Sequence, residues 1–156
     1  MASSPRFQRE KVTASFCEEV APLLELHYTE IAHYTDIQLN PDFASYIAAE
    51  DAGTLRCFTA RDESGLLIGY ATFFIMRNPH YRSSIQAAQD VLFIETTRRG
   101  FGMRFIDWCD RELQAEGCQT VYHHMKKKHD FGRMLERLGY EHVDQIYARR
   151  LDRMEV

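Results

Sequence analysis

The chain has 156 residues, 45% of them hydrophobic and 27% charged, which is enough for one domain and too few for two ordinary ones. Its 23 acidic and 19 basic residues give a net charge of -4, which argues against a dedicated nucleic-acid-binding protein. No apolar run reaches the roughly 18–20 residues of a membrane span. The opening residues contain no apolar segment typical of a secretory signal, so we expect a cytoplasmic protein with no membrane partner.

The first third of the chain predicts one strand and two helices. Residues 6–13 alternate weakly and predict a strand. Residues 15–35 have helical apolar spacing, with Ser15 as the expected N-cap and Glu18 completing a capping box. Pro22 predicts a break or kink inside this helix. The segment Asn40–Asp42 is typical of the start of a second, short helix, which we expect to end near a glycine.

The middle of the chain predicts a hairpin and a buried strand. Residues 54–62 and 66–76 are rich in β-branched and aromatic side chains and flank a Glu-Ser-Gly turn, which predicts two antiparallel strands. Residues 77–83 predict a loop. Residues 84–94 end in a continuous apolar run, which is typical of a strand buried on both faces.

The last third predicts two helices, each followed by a strand. Residues 100–116 have an apolar stripe at helical spacing and are followed by a glycine suited to a helix C-terminus. Residues 119–125 predict a strand, 129–138 a helix and 141–151 a last strand. This order of elements predicts an α/β fold, with a mixed sheet covered by helices on both sides.

The cysteines and histidines do not predict a metal site. No two of the four cysteines form a C-x-x-C pair, which favours reduced thiols in a cytoplasmic protein. Three histidines cluster at His123, His124 and His129, without the pattern of a zinc site. We therefore expect no bound metal.

Residues 94–104 lead from the buried strand into a helix and carry the strongest functional signal. Two glycines allow a ligand to approach the backbone closely, and the free N–H groups of a helix start attract anions. Arg98, Arg99 and Arg104 add positive charge at the same turn. The pattern predicts a pyrophosphate site; the alternative is a tight turn with solvated arginines.

The segment Arg99–Arg104 resembles the pyrophosphate loop, Gln/Arg-x-x-Gly-x-Gly/Ala, of the GNAT N-acetyltransferase superfamily. Five of its positions fit, and Arg104 replaces the final small residue. The order of elements also matches that superfamily, as does the turn Leu138–Tyr140 before the last strand. Residues 129–140 further resemble acetyltransferases encoded by bacteriophages or prophages. The resemblance implies a single GNAT domain over residues 1–156, with six to seven strands and about four helices.

The resemblance implies that acetyl-CoA, as co-substrate, lies between the splayed fourth and fifth strands. Its pantetheine arm would bond to strand backbone and its diphosphate to the loop amides. The amine acceptor would touch His33 and Tyr34, between the first two helices. The cofactor-binding residues expected are Leu92, Phe93, Ile94, Arg98, Arg99, Gly100, Phe101, Gly102, Met103 and Arg104.

Direct transfer to an amine needs a group that takes the amine's proton. For this base we favour Asp90 at the entry of the fourth strand, with Glu95 at its exit as the second choice. For each, the alternative is a solvated carboxylate. The resemblance also implies that a strand-four backbone N–H binds the oxyanion.

Members of the family often have a tyrosine that acts as the general acid at the position of Leu135, and a leucine cannot donate a proton. We expect His129 to replace it, because an imidazole exchanges protons near neutral pH. Packing of His129 against Asp130 is the alternative role for that side chain. Tyr122 is a further candidate for the acid.

Three hypotheses for function follow. The first is an acetyl-CoA-dependent N-acetyltransferase acting on a small-molecule or protein amine. The second is a GNAT-like acyl-CoA-binding protein with little or no turnover that acts through a protein partner, which Leu135 and Arg104 support. The third, a nucleic-acid-associated regulator, finds poor support in the acidic composition.

Residues 126–128 are three lysines, which predict a solvated loop or a contact for a phosphate or an acidic substrate. Dimers are common in this superfamily, which leaves a homodimer open.

Overall fold

A computed structural model describes residues 4–154. Its elements in chain order are β1 Arg6–Glu10, α1 Ala14–Ile31, α2 Phe43–Asp51, β2 Leu55–Arg61, β3 Leu67–Arg77, β4 Ile85–Ile94, a 3₁₀ segment Thr96–Phe101, α3 Gly102–Ala115, β5 Thr120–Tyr122 and α4 Gly132–Arg137. The α/β architecture and the four helices are therefore confirmed.

The strands form one mixed sheet in the order β1-β2-β3-β4-β5. The pairs from β1 to β4 are antiparallel, and β4 pairs with β5 in parallel. The hairpin expected around the Glu-Ser-Gly turn is confirmed as β2 and β3, where Gly65 has a φ of 86° that an L side chain rarely adopts. None of the helices in residues 4–154 is both long and apolar enough to cross a bilayer.

Two apolar clusters lie on opposite faces of the sheet. Helix α1 packs Phe16 and Val20 against one face, where they meet Leu55 and Cys57. Helix α3 packs on the other face, mainly through Phe105, which is fully buried. Both faces of β2 and β3 are covered, which fits the many buried apolar side chains along these two strands.

The start and course of α1 differ from the sequence prediction. Its N-cap is Thr13, whose hydroxyl accepts a hydrogen bond from the Phe16 N–H at 3.1 Å, so the prediction of Ser15 was wrong. The helix also continues through Pro22 without the predicted break. Pro22 and Glu18 are both exposed, so water can hydrogen-bond the carbonyl that proline leaves without a donor.

The predicted last strand is also wrong, because residues 141–150 form no regular secondary structure. Apolar alternation favours a strand, but a strand needs a partner edge. Here the segment is held instead by Arg150, which pairs with Asp36 at 3.0 Å and lies over the Tyr34 ring. The described residues therefore form five strands, fewer than the six to seven expected.

Candidate functional site

A β-bulge in β4 places Asp90 outside the regular ladder. On β3, Thr72 pairs with Val91 and Phe73 pairs with Gln89, so Asp90 is the extra residue between them. Its carboxylate accepts hydrogen bonds from the Tyr46 hydroxyl at 2.5 Å and the Thr72 hydroxyl at 3.2 Å. Burial, and then the bond to Asp90, raise the pKa of Tyr46, so the phenol stays protonated and donates. The bulge thus presents an exposed carboxylate held by two hydroxyl groups.

Strands β4 and β5 separate beside this bulge. They pair only from Gln86 to Ala88, opposite 120–122, so the next residues of β4 have no strand on that side. A slot of about 250 Å³ opens there, between β4 and residues 124–131. Leu92 borders the slot, as do Gln89 and Asp90. A free strand edge of this kind can bond to the backbone-like amides of an extended ligand.

A polar network begins at Gln89, which borders the slot. The Nδ1 atom of His123 lies 2.7 Å from Oε1 of Gln89, and its Nε2 atom lies 3.1 Å from the Tyr140 hydroxyl. That hydroxyl donates to Asp110 on α3 at 2.6 Å. Burial lowers the pKa of His123 to about 4. The network joins β4, the residue after β5 and α3, and so fixes where the two strands separate.

A second, larger cavity of about 900 Å³ lies on the α1 side of the sheet. Its walls come from α1, the segment between α1 and α2, strands β3 and β4, and residues 124–128 and 146–148. We call it the large cleft. Most of its inner wall is apolar or aromatic, and Thr72 contributes a hydroxyl group from β3. This composition suits a ligand with an apolar body and few polar groups.

The slot and the large cleft meet at Asp90. The residues that border both cavities are His27, Ile31, Asp90, His124 and Lys126. A ligand in the slot and a ligand in the large cleft would therefore touch each other beside this carboxylate. Helical spacing placed His27 correctly on the buried face of α1, but sequence reasoning did not connect it with the site.

The expected acceptor residues and the three lysines border the large cleft. His33 and Tyr34 lie in the segment between α1 and α2, with ring centroids 4.6 Å apart. Residues 126–128 form the opposite rim, where Lys128 Nζ donates to the Thr29 carbonyl at 3.3 Å. The three lysines are exposed and also border the large cleft. Their position is therefore compatible with a solvated loop and with a contact for a phosphate or an acidic substrate.

The three arginines of the glycine-containing turn point in different directions. Arg98 pairs with Asp62 at 3.3 Å, and Arg104 lies over the ring of Phe7. Arg99 forms an ion pair with Glu30 on α1. The guanidinium groups therefore do not converge on one point in this structure, although the turn and the start of α3 lie where the sequence predicted them.

The two glycines of this turn differ in their surroundings. A Cβ atom added to Gly100 would meet no protein atom within 4 Å, whereas one on Gly102 would contact the Ile94 side chain at 3.4 Å. The φ angle of Gly100 is not in the left-handed region, so neither strain nor packing requires glycine there. Among the other expected cofactor residues, Phe93 and Phe101 are core residues, and Met103 is half-buried.

The remaining catalytic candidates lie in different places. His129 borders the slot, with Nδ1 3.1 Å from Oε1 of Glu30. Glu95 borders neither cavity; it accepts a hydrogen bond from the Thr97 hydroxyl, which lowers the pKa of Glu95. Tyr122 also borders neither cavity, and Leu135 is buried. The structure therefore brings Asp90 and His129 near one site and leaves the other two outside it.

Comparisons with known proteins identify the fold. No family model matches the sequence, and no curated protein matches it. Solved structures do match. A predicted acetyltransferase with acetyl-CoA from Clostridium acetobutylicum is 12% identical, with a TM-score of 0.73 over 97% of this chain and 99% of that chain. A ribosomal-protein-alanine N-acetyltransferase from Brucella melitensis biovar Abortus 2308 is 17% identical, with a TM-score of 0.70 over 95% and 99%.

A third match is an aminoglycoside acetyltransferase from an uncultured soil metagenomic sample, in complex with sisomicin. It is 16% identical, with a TM-score of 0.70 over 94% of this chain and 96% of that chain. At these identities the likeness concerns the fold. The chain shares its overall fold with these three acetyltransferases, as the element order predicted.

Proposed function

We propose that this protein transfers an acetyl group from acetyl-CoA to an amine by direct attack within a ternary complex. The observation that carries the proposal is the position of Asp90, whose carboxylate borders both the slot and the large cleft. The fold shared with acetyltransferases supports the same reaction. Under this proposal the slot takes the thioester and the large cleft takes the amine.

The residues around the slot fit acetyl-CoA. The free edge of β4 at residues 92–94 is suited to the pantetheine amides. The turn of residues 99–104, which borders neither cavity and leads from β4 into α3, is the proposed place of the diphosphate. The protein's own packing does not require a glycine at position 100, because a Cβ atom there would meet no protein atom. Close approach of a bound diphosphate to the backbone would account for the glycine. When bound, acetyl-CoA supplies an activated acetyl group.

The chain's own residues would handle the amine and its proton. A lysine-like amine has a pKa of about 10.4 and reaches the site as an ammonium ion, which the Asp90 carboxylate attracts. An ammonium nitrogen has no lone pair, so one proton passes to the Asp90 carboxylate before the nitrogen attacks the acetyl carbon. Once the nitrogen has bonded to that carbon, a second proton becomes far more acidic and leaves the nitrogen. Hydrogen bonds from Tyr46 and Thr72 keep that carboxylate at the junction.

For the proton that the leaving thiolate takes up, His129 is the candidate with the best position, because it borders the slot. Leu135 is buried in the core and has no acidic proton. The ion pair between His129 and Glu30 would hold the imidazole in place. Solvent is the alternative proton source.

The test is a coupled measurement of binding and turnover on the purified protein. We expect calorimetry to detect acetyl-CoA binding, and a panel of primary amines to include at least one that releases free CoA thiol. Mass spectrometry should then find that acceptor heavier by one acetyl group. Absence of acetyl-CoA binding would refute the proposal.

The second candidate, a partner-binding protein without turnover, is favoured by one observation. Residues 141–154 expose five large apolar side chains: Val143, Ile146, Tyr147, Leu151 and Met154. This candidate predicts acyl-CoA binding without release of thiol for any amine. It also predicts a protein complex that survives the substitution Arg99→Ala, because the partner would contact a different surface.

A further inference from the structure

His27 is a buried side chain in a fixed position. It lies on the face of α1 that packs on the sheet, and 8% of it is exposed. Its ring packs against Phe93 of β4, with centroids 5.1 Å apart. A buried imidazole usually has a hydrogen-bond partner, because an unmade hydrogen bond to a buried polar atom is costly.

Within residues 4–154 we find no side chain or backbone group that hydrogen-bonds the ring nitrogens of His27. Only the hydroxyl of Tyr70, in that part of the chain, is both sealed from solvent and without a partner. The nitrogens of His27 are therefore not sealed, and they reach open space. The residue borders both the slot and the large cleft, so that space belongs to the junction of the two cavities.

The imidazole is neutral at physiological pH. Burial lowers the pKa of His27 to about 4, further aided by His129 and Arg99 and opposed by Glu30 and Asp90. A neutral imidazole has one nitrogen that accepts a hydrogen bond, whereas an imidazolium has none. Beside the negative charge of Asp90, the junction thus offers a second, uncharged acceptor.

We propose that His27 is a catalytic residue of the acetyl transfer described above, accepting a hydrogen bond and then a proton from the attacking amine. This inference rests on that proposed function. The amine nitrogen forms a bond to the acetyl carbonyl carbon, and the carbon–sulfur bond breaks with its electron pair passing to sulfur. The nitrogen's proton moves to the imidazole and on to Asp90 or solvent, and the thiolate takes up a proton.

The two acceptors at the junction have different tasks. The carboxylate of Asp90 attracts the ammonium form of the substrate by its charge. The neutral imidazole accepts one N–H of the uncharged amine and so turns the nitrogen lone pair toward the thioester in the slot. Because His27 is fixed against Phe93, this orientation needs no movement of the protein.

The test compares two substitutions of His27 with a matched control. His27→Phe preserves the flat ring and its packing but removes both nitrogens. His27→Gln keeps a side-chain amide able to accept a hydrogen bond. The control is His80→Phe, in an exposed loop that borders neither cavity. For each protein we would measure the melting temperature, the acetyl-CoA dissociation constant, and kcat and KM with the best amine from the panel.

We expect His27→Phe to remain folded and bind acetyl-CoA within about threefold of the parent, while kcat falls at least about tenfold. His27→Gln should recover part of that loss, and His80→Phe should match the parent. A kcat within threefold of the parent in folded His27→Phe would overturn the inference. An equal loss in acetyl-CoA affinity would also overturn it, by indicating a structural role. If the parent shows no turnover with any amine, the proposed function itself fails.

Discussion

Replacing Asp90 with Asn tests the proposed base most directly. Asn has nearly the same shape and keeps one oxygen for the hydroxyls of Tyr46 and Thr72. Hydrogen bonds to a charged group contribute about 1.5–3 kcal/mol and those to a neutral group about 0.5–1.5. Asp90 is exposed, so the loss for both bonds together is about 1 kcal/mol, equal to a fall of about 2–4 °C in melting temperature.

The catalytic effect of Asp90→Asn should be much larger. General base catalysis contributes about 10²–10⁴ in rate, and we expect kcat to fall at least a hundredfold, about 2.7 kcal/mol in barrier height. A protein that is stable by about 5–15 kcal/mol remains folded after this substitution. Initial rates of thiol release, at saturating acetyl-CoA and acceptor, measure the effect at 25 °C.

Glu95→Gln is the matched control, because it removes a nearby carboxylate that borders neither cavity. We expect its kcat to stay within about threefold of the parent. If Glu95→Gln loses activity and Asp90→Asn does not, the carboxylate after β4 is the base and the bulge has another role. If both variants keep full kcat, neither carboxylate is the base, and His27 or water takes the proton from the amine.

Three further predictions concern the glycine turn, acid stability and the thiols. We expect Gly100→Ala to leave the melting temperature unchanged or slightly higher, since nothing crowds a Cβ there, yet to weaken acetyl-CoA binding about tenfold by calorimetry. Burial lowers the pKa of both His27 and His123 to about 4, so the unfolded chain binds more protons between pH 4 and 6.5. In urea titrations, the free energy of unfolding should therefore fall by up to about 3 kcal/mol per histidine as the pH drops through that range. The fall should be smaller in His27→Phe, which has lost one of the two histidines. The four thiols all have raised pKa values because of burial, and Cys118 is the least buried, so a thiol reagent at pH 8 should label it first and the others only after denaturation.

Local signals in the sequence predicted most of the fold. The hairpin followed from two apolar runs around a turn, and the end of α2 from Gly53, whose φ of 76° suits the residue after a helix. The last strand failed for a physical reason, because alternation describes a segment's own preference and not whether a partner edge exists. Residues 141–150 are instead anchored by the ion pair of Arg150 with Asp36.

The candidate site was only partly predictable. The glycine turn was visible because its residues are contiguous, and Asp90 because it is a charged residue in an apolar strand. His27 was placed on the core face by its spacing, but spacing cannot show that a cavity lies between that face and β4. The large cleft is built from segments distant in sequence, so no short motif describes it.

The bulge at Asp90 also reverses which side of the sheet successive residues of β4 occupy. Before it, Gln89 faces the α3 side with Phe73; after it, Val91 faces the α1 side with Thr72. If Asp90 instead took a regular ladder position opposite Thr72, Val91 and Phe93 would turn toward α3, and Leu92 would turn toward α1. Deleting Asp90 would bring Gln89 and Val91 into consecutive ladder positions, opposite Phe73 and Thr72 as they are now. The chain would then lose the bulge and its carboxylate together, while both apolar clusters kept their residues.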